Sequence, residues 1–581
     1  MGNYRFGLGS SVYQGANRYS LDNIRLHQAK AEVKGDNFFL RYYTTIEEAG
    51  GSWDTRFAAW NINRAWKGDV EWFTQYTEGY LGTLIMGCPG AVPGTPAFDA
   101  CSLVAHANGR ALADQGRLVP GTPEFETERE RITDLADLRN GSRFIDKTTL
   151  QHVEGNYNFN ELIDFVDLQV GANWRMYRLN SEGTIFTDSE AQGGPIPISE
   201  FGAYVQAGKK LLPKDRLKLL ASARYDKNQN FEGRISPRAS FVFSLGENRE
   251  HNVRGSFQTG FRNPDTQAQY IGLDLGVATL VGGAEENIER YSLIVPYSDA
   301  QGNLVETTVL GPSIYSNSYT ASSATAYSAA VAASIAQGVD PGTAAVINAG
   351  ILETASSIEF IKPERITSYE IGYKGVIERK LLLDVNFYYN QYRDFQANTN
   401  VVHVLTGDVN DMTTFSGVQD LGAGRTRVFQ LYSNATGKVT SRGVGVSLDY
   451  SLPMNFIAGA SWSHNRLDID ESADPNLIPG FNTPEHRINL KIGNRNIADT
   501  NISFMLNWRW LDNYRWEASF GNGDVDSYSV LDAQISYDIP NANTTIKLGG
   551  SNILNQSYRQ AFGAAPVGAQ YFISLTYNGV K

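Results

Sequence analysis

The stretch Tyr528-Ser529-Val530-Leu531-Asp532-Ala533-Gln534-Ile535-Ser536-Tyr537-Asp538-Ile539-Pro540 decides how the rest of the chain is read. Leu531, Ala533, Ile535, Tyr537 and Ile539 face one way while Asp532, Gln534, Ser536 and Asp538 face the other, the period of two that a pleated strand imposes. Ile546 and Leu548 flank Lys547 in a second strand, and Tyr571, Ile573, Leu575 and Tyr577 alternate with Phe572, Ser574 and Thr576 in a third. One face is apolar and aromatic, the other polar. A soluble sandwich turns such an apolar face inward, whereas an outer-membrane barrel turns it toward lipid and lines its inside with polar groups. The pattern alone leaves both open.

The connections separate them. Pro540 to Thr544 is a tight turn and Arg559 to Ala569 is longer. Short turns on one end and free-growing loops on the other are the habit of a transmembrane barrel. Working back toward the N-terminus, strands are expected at Tyr4–Ser11, Asn23–Val33, Asn37–Thr45, Phe144–Tyr157, Phe165–Glu182, Ile198–Leu212, Leu217–Phe231, Ile235–Leu245 and His251–Phe261. Beyond these come Ile366–Ile377, Leu381–Thr399, Phe429–Leu452, Phe456–Leu467, His486–Asn496 and Asn501–Leu511. With the closing three this makes about eighteen strands, with short and long connections segregated. A sandwich has no reason to segregate them.

Two insertions interrupt the series, residues 46–143 and 262–365. In the first, Val70, Phe73, Tyr76, Tyr80, Leu81 and Leu84 recur at helical spacing, and Thr122-Pro123-Glu124 is a helix start. In the second, Ala321–Ala336 and the Asp340-Pro341-Gly342-Thr343 start predict loop helices. Four of the nine tryptophans, Trp53, Trp60, Trp66 and Trp72, lie in the first insertion. They serve either as an external ligand platform or as the small core that lets a long loop fold. Trp60, Trp66, Trp72 and, from the second insertion, Tyr315 are the candidate ligand-binding residues.

Composition bounds the rest. The chain has 581 residues, 30 Tyr, 28 Phe, 56 Gly and only 20 Pro, which suits one very large sheet rich in interfacial tyrosine. No apolar run is long enough for a helical span, which says nothing against strands. A net charge of -12 without a Lys/Arg run makes nucleic acid a poor partner. Cys88 and Cys101 are either unpaired thiols or, in an exported protein, a local disulfide that stabilises the loop by about 3 kcal/mol. No H-E-x-x-H, G-x-S-x-G, Walker or C-x-x-C motif is present, and the seven histidines are scattered. No catalytic residue, metal ligand or cofactor is therefore assigned, and no enzyme is expected.

Ser236-Pro237-Arg238-Ala239, Thr259-Gly260-Phe261-Arg262-Asn263-Pro264, Lys362-Pro363-Glu364, Ser368-Tyr369-Glu370-Ile371-Gly372-Tyr373-Lys374-Gly375, Asn482-Thr483-Pro484-Glu485-His486 and Asn552-Ile553-Leu554-Asn555 with Tyr558 resemble the barrel of TonB-dependent outer-membrane receptors, in general style those of Bacteroidetes. The resemblance spans most of Phe201 to Tyr577. It implies an all-β protein, a transmembrane barrel of about 22 strands with an internal plug, importing a large nutrient ligand with energy delivered by the TonB complex. Residues 1–581 show neither TonB box nor plug and about four strands too few. The expectation is accordingly a single barrel domain, N-terminally truncated, set in outer-membrane lipid and reaching TonB only through the missing plug. A passive porin-like channel and a surface binding protein without transport are the alternatives.

Overall fold

The computed structural model describes all residues except 15–17, 88–94, 277, 471–479, 519–520, 578 and 580–581. Its main feature is a 19-stranded sheet. One two-residue strand, Trp53–Asp54, branches from Arg18–Lys34. The remaining strands form one antiparallel meander, each paired with its neighbour along this series. In order they are Gly2–Gln14, Arg18–Lys34, Phe38–Glu48, Thr149–Asn158, Asp167–Leu179, Ile196–Leu211, Leu217–Asn228, Arg234–Leu245, His251–Arg262, Glu364–Ile377, Leu381–Arg393, Val439–Ser451, Phe456–Ile469, His486–Asn494, Ile502–Leu511, Tyr528–Ile539, Thr544–Ser551 and Gln570–Tyr577.

The two faces of this sheet follow from register, because residues opposite each other in a ladder share a face. Ile573 lies opposite Leu548, Leu548 opposite Ile535, and Ile535 opposite Phe504. Trp508, four residues beyond Phe504 on the same face, opens a second row through Leu490, Ala460, Leu448 and Leu383, and Val446 and Val385 share that face. These side chains enter none of the hydrophobic clusters, and Ile535 and Ile573 are 49% and 74% exposed. A face this apolar with nothing packed on it is unstable in water and suited to hydrocarbon.

The other face carries the charges, and they pair along the wall. Arg41 bonds Glu32 at 2.7 Å and Glu154 at 2.8 Å, and Arg254 and Lys374 share Asp384 at 3.0 and 3.5 Å. Arg224 holds Asp226 and Asn173, while Arg509 pairs with Asp532 at 3.1 Å. Small residues make room for these networks. A Cβ added to Gly202 would lie 2.3 Å from the Arg224 guanidinium and 2.4 Å from the Asp226 carboxylate.

Loop lengths segregate as the sequence implies. Turns at one end span 35–37, 212–216, 246–250, 378–380, 452–455, 495–501 and 540–543, the longest there being 159–166. Glu378 and Arg379 both adopt positive φ, the geometry of a tight hairpin whose twist matches its strands. The opposite end carries 49–148, 263–363 and 394–438. Among the described residues no ladder joins the first strand to the last. At the loop end the Arg18 guanidinium, on the second strand, donates to the carbonyl of Gly563, in the connection before the last strand, at 3.0 Å. No described helix is long and apolar enough to cross a membrane.

The insertions hold the hydrophobic cores. The first contains helices Thr55–Trp66, Asp69–Gly87, Pro96–Ala113 and Pro123–Asp134, the last capped by Thr122. The second contains the expected helices Ala321–Ala336 and Pro341–Asn348, but it is more than helical loop. Gly272–Asp274, Thr279–Val281 and Ser318–Thr320 join two further strands, Gln396–Val404 and Thr426–Asn434, in a five-stranded sheet. This corrects the expected strands Leu381–Thr399 and Phe429–Leu452. Each breaks where it leaves the wall, the first at Asp394 with φ 53 and the second at 435–438, so that its outer part enters this cap. Val281, Ile288, Val309, Ile314, Val401, Phe429 and Leu431 are all at most 2% exposed and form the core of the cap.

Candidate ligand cavity

The cap sheet has two faces with different duties. Val401, Phe429 and Leu431 point into the cap core, while Asn398 and Tyr432, paired directly across the Gln396–Val404 and Thr426–Asn434 ladder, point to the other side. That side lines a cavity of about 550 Å³. Its opposite walls come from Tyr19 and Ile24 on the second strand, Glu47 on the third, and Arg56, Phe144 and Asp146 in the 49–148 connection. Ile271, Leu273 and Leu280 complete an apolar side, and Gly480 and Glu517 reach in from the C-terminal part of the chain.

Arg56 is placed by a helix start. Asp54 caps Thr55–Trp66 by accepting from the backbone N–H groups of Arg56 and Phe57 at 2.7 and 3.0 Å, which fixes the first turn. The Arg56 guanidinium lies over the Trp60 ring at 5.1 Å, a cation–π contact. Its Nε and Nη2 are nonetheless buried with no hydrogen-bond partner, and so is Asn398 Oδ1 on the facing wall. Orphaned buried polar atoms cost about 1–3 kcal/mol each unless something satisfies them. Arg56 and Asn398 both line the cavity, so it holds two unsatisfied donors and one unsatisfied acceptor among its walls.

The electrostatics sharpen this. Burial lifts the Asp146 carboxyl above its ordinary range, against opposing hydrogen bonds from Thr148. Burial, aided by Asp265 and Tyr19, pushes the Tyr432 phenol up to about 12, so it stays a neutral donor. The cavity therefore offers a fixed cation at Arg56, an unpaired acceptor at Asn398, and an apolar and aromatic surface between them.

Two further cavities share lining residues with it or with each other. Asp265 also lines a space of about 680 Å³ on the charged wall beside Arg175, Glu200, Arg224 and Asp226. Ser236, Gly260 and Phe261 are shared in turn with a chamber of about 1240 Å³ beside Arg234, Tyr392 and Asn434. Arg234 Nε is another buried donor without a partner.

The aromatic candidates are not brought together. Trp60 backs the cavity through Arg56 and an edge contact with Phe57 at 5.6 Å. Trp66 sits at its helix end under the Lys67 ammonium at 4.5 Å. Trp72 stacks on Tyr76 at 5.2 Å and donates to Asp114 at 2.9 Å, tying two helices of the insertion. Tyr315 is 8% exposed inside the cap core. Cys101 is buried and disulfide-bonded, and Cys88 lies outside the described residues. Sequence reasoning missed Arg56 and Asn398, since an orphaned atom has no signature in composition or period.

The family model described as TonB dependent receptor-like, beta-barrel matches residues 2–553. Among curated proteins no sequence relative matches. Of solved structures, the siderophore receptor PirA from Acinetobacter baumannii superposes with TM-score 0.50 at 11% identity, covering 97% of this chain and 62% of that one. The FrpB iron transporter from Neisseria meningitidis (F3-3 variant) gives 0.51 at 10%, covering 99% and 68%. A mutant ferric enterobactin receptor, PfeA, from Pseudomonas aeruginosa in complex with enterobactin gives 0.51 at 11%, covering 96% and 62%. The chain thus spans about three fifths of the length of PirA and PfeA, and the likeness is one of fold.

Proposed function

The chain belongs to the TonB dependent receptor-like, beta-barrel family, and from that premise we propose that it forms the wall and ligand-collecting mouth of an outer-membrane importer in a Gram-negative envelope. In the membrane the meander forms the wall of a closed barrel, lipid surrounds the row of Ile573, Leu548 and Ile535, and the long insertions stand outside the cell. Energy reaches the whole protein from the TonB complex through a plug of the kind the family resemblance implies. Backbone groups at an open sheet edge are not tolerated in hydrocarbon, which is the physical reason for proposing closure.

The carrying observation is the cavity between cap and wall, with Arg56 and Asn398 unsatisfied and two further cavities continuing along the charged wall. A binding chamber leading to a polar interior suits capture followed by passage. The insertions favour a receptor over a passive porin, since segments from 19–56, 262–280, 396–432, 480 and 517 converge on one cavity instead of leaving the mouth open. The ligand is amphipathic, with an acidic group for Arg56, a donor for Asn398 and an apolar body for Phe144, Ile271 and Tyr432. Iron-carrying chelates are the first class to try.

Titration calorimetry of the detergent-extracted protein against a panel of ferric chelates tests this. Losing one charged hydrogen-bond partner costs about 1.5–3 kcal/mol, so Arg56→Ala is expected to weaken binding roughly 10- to 100-fold, with a smaller loss for Asn398→Ala. Unchanged affinity in both variants would remove this cavity as the site. Steady ion conductance through reconstituted vesicles would favour the porin reading instead.

A further inference from the structure

His464 and His486 are 22 positions apart in sequence, yet the ladder between Phe456–Ile469 and His486–Asn494 sets them directly opposite each other. The neighbouring pair fixes the kind of position. The Asn465 N–H donates to the Glu485 carbonyl at 3.0 Å, which makes Asn465 and Glu485 the hydrogen-bonded pair. His464 and His486 are then the non-hydrogen-bonded pair, whose side chains stand closest. Their ring centroids are 4.6 Å apart.

A carboxylate completes the group. One ligand atom each from His464, Glu485 and His486 lies within 4.8 Å of the others, the sole such grouping of metal-binding side chains among the described residues. His464 Nδ1 is buried and has no hydrogen-bond partner. His486 Nδ1 receives only a long bond, 3.3 Å, from the Trp462 indole N–H. A tetrahedral zinc centre places its ligand atoms roughly 3.3 Å apart, so modest side-chain rotation closes the set. Paired imidazoles with one carboxylate suit zinc and its neighbours better than calcium or magnesium, which prefer all-oxygen sites.

We propose that His464, Glu485 and His486 form a divalent transition-metal site at the loop-end rim of the sheet, separate from the ligand cavity, with one coordination position open to water. The pair belongs to the outward row, since Trp462 opposes Ile488 and Ala460 opposes Leu490 just below it. The bound ion staples the two strands where they leave the wall. Trp462 stacks on both rings, at 6.4 and 6.0 Å with interplanar angles of 16°, and is a built-in reporter.

The test uses the full chain in detergent, stripped with chelator and titrated with Co²⁺, Ni²⁺ and Zn²⁺ alone. One equivalent of Co²⁺ with a visible d–d spectrum is expected, displaced by Zn²⁺, and Ni²⁺ is expected to quench a fraction of emission that Trp462→Phe abolishes. His464→Ala and His486→Ala should each weaken binding at least tenfold and Glu485→Gln less, while His106→Ala on the first insertion leaves it unchanged. Circular dichroism and heat-modifiability of each variant establish that it is folded. No stoichiometric binding, or binding of equal strength in a folded double histidine variant, overturns the site.

Discussion

Replacing Asp420 by asparagine should unlock one corner of the cap while leaving the wall intact. Asp420 is 1% exposed on the short helix Ser416–Ala423. Its carboxylate accepts from the Thr406 and Gly407 backbone N–H groups, the Thr406 hydroxyl and the Arg425 Nε, each at 2.7 Å. Burial pushes its carboxyl up, but these bonds outweigh it and hold the group ionised below its usual range. The Asp420→Asn side chain would keep the volume, lose the charge facing a guanidinium that is 20% exposed, and turn an amide NH₂ toward donors. Breaking a buried pair from one side costs about 3–5 kcal/mol. Hydrogen exchange should report that loss as a fall of roughly 10²- to 10³-fold in protection across 396–434, with the strands Tyr528–Ile539 and Thr544–Ser551 unchanged. Equal protection in both proteins would refute the claim that this carboxylate organises the cap, and loss throughout the chain would refute the independence of cap and wall.

Acid should loosen the same region earlier. Burial lowers His403 to about 4, so the folded cap prefers neutral imidazole; its stability is complete above about pH 6.5 and falls as pH drops toward 4, by about 3 kcal/mol, and His403→Gln should flatten that exchange profile between pH 6.5 and 4. Ile535→Lys should destabilise the reconstituted protein by about 2–4 kcal/mol, and Gln534→Lys, on the charged face, by far less, as read from denaturant unfolding in vesicles. A non-reducing peptide map should recover Cys101 joined to Cys88, and reduction should lower the melting point of the first insertion, consistent with about 3 kcal/mol for a loop of this size.

The wall was legible because its physics is local. Alternation such as Leu531, Ala533, Ile535 against Asp532, Gln534, Ser536 is imposed by the pleat, and short polar turns such as Lys34-Gly35-Asp36 mark where it reverses. The cap was not. Thr279–Val281 pairs in parallel with Thr426–Asn434, 150 positions away (Thr279 opposite Phe429), and strands of three residues leave no period to read. Leu381–Arg393 and Gln396–Val404 looked like one strand because the apolar and polar pattern runs through Asp394, whose positive φ turns the chain. The site failed for a related reason. Tryptophans in a long loop attract notice, yet Trp72 and Tyr315 are spent on packing, whereas Arg56, Asn398, His464 and His486 acquire meaning only through register and burial.

Single spin labels read the central claim directly. Placed in the reconstituted protein at Leu383, Val446 and Ile535, they should relax with lipid-soluble oxygen and ignore a water-soluble nickel chelate. Labels at Asp384, Ser447 and Ser536 should do the reverse. Nickel accessibility at the first three, or shielding of all six from both reagents, would mean that the apolar face meets water or protein and that the sheet does not line a water-filled passage through a bilayer.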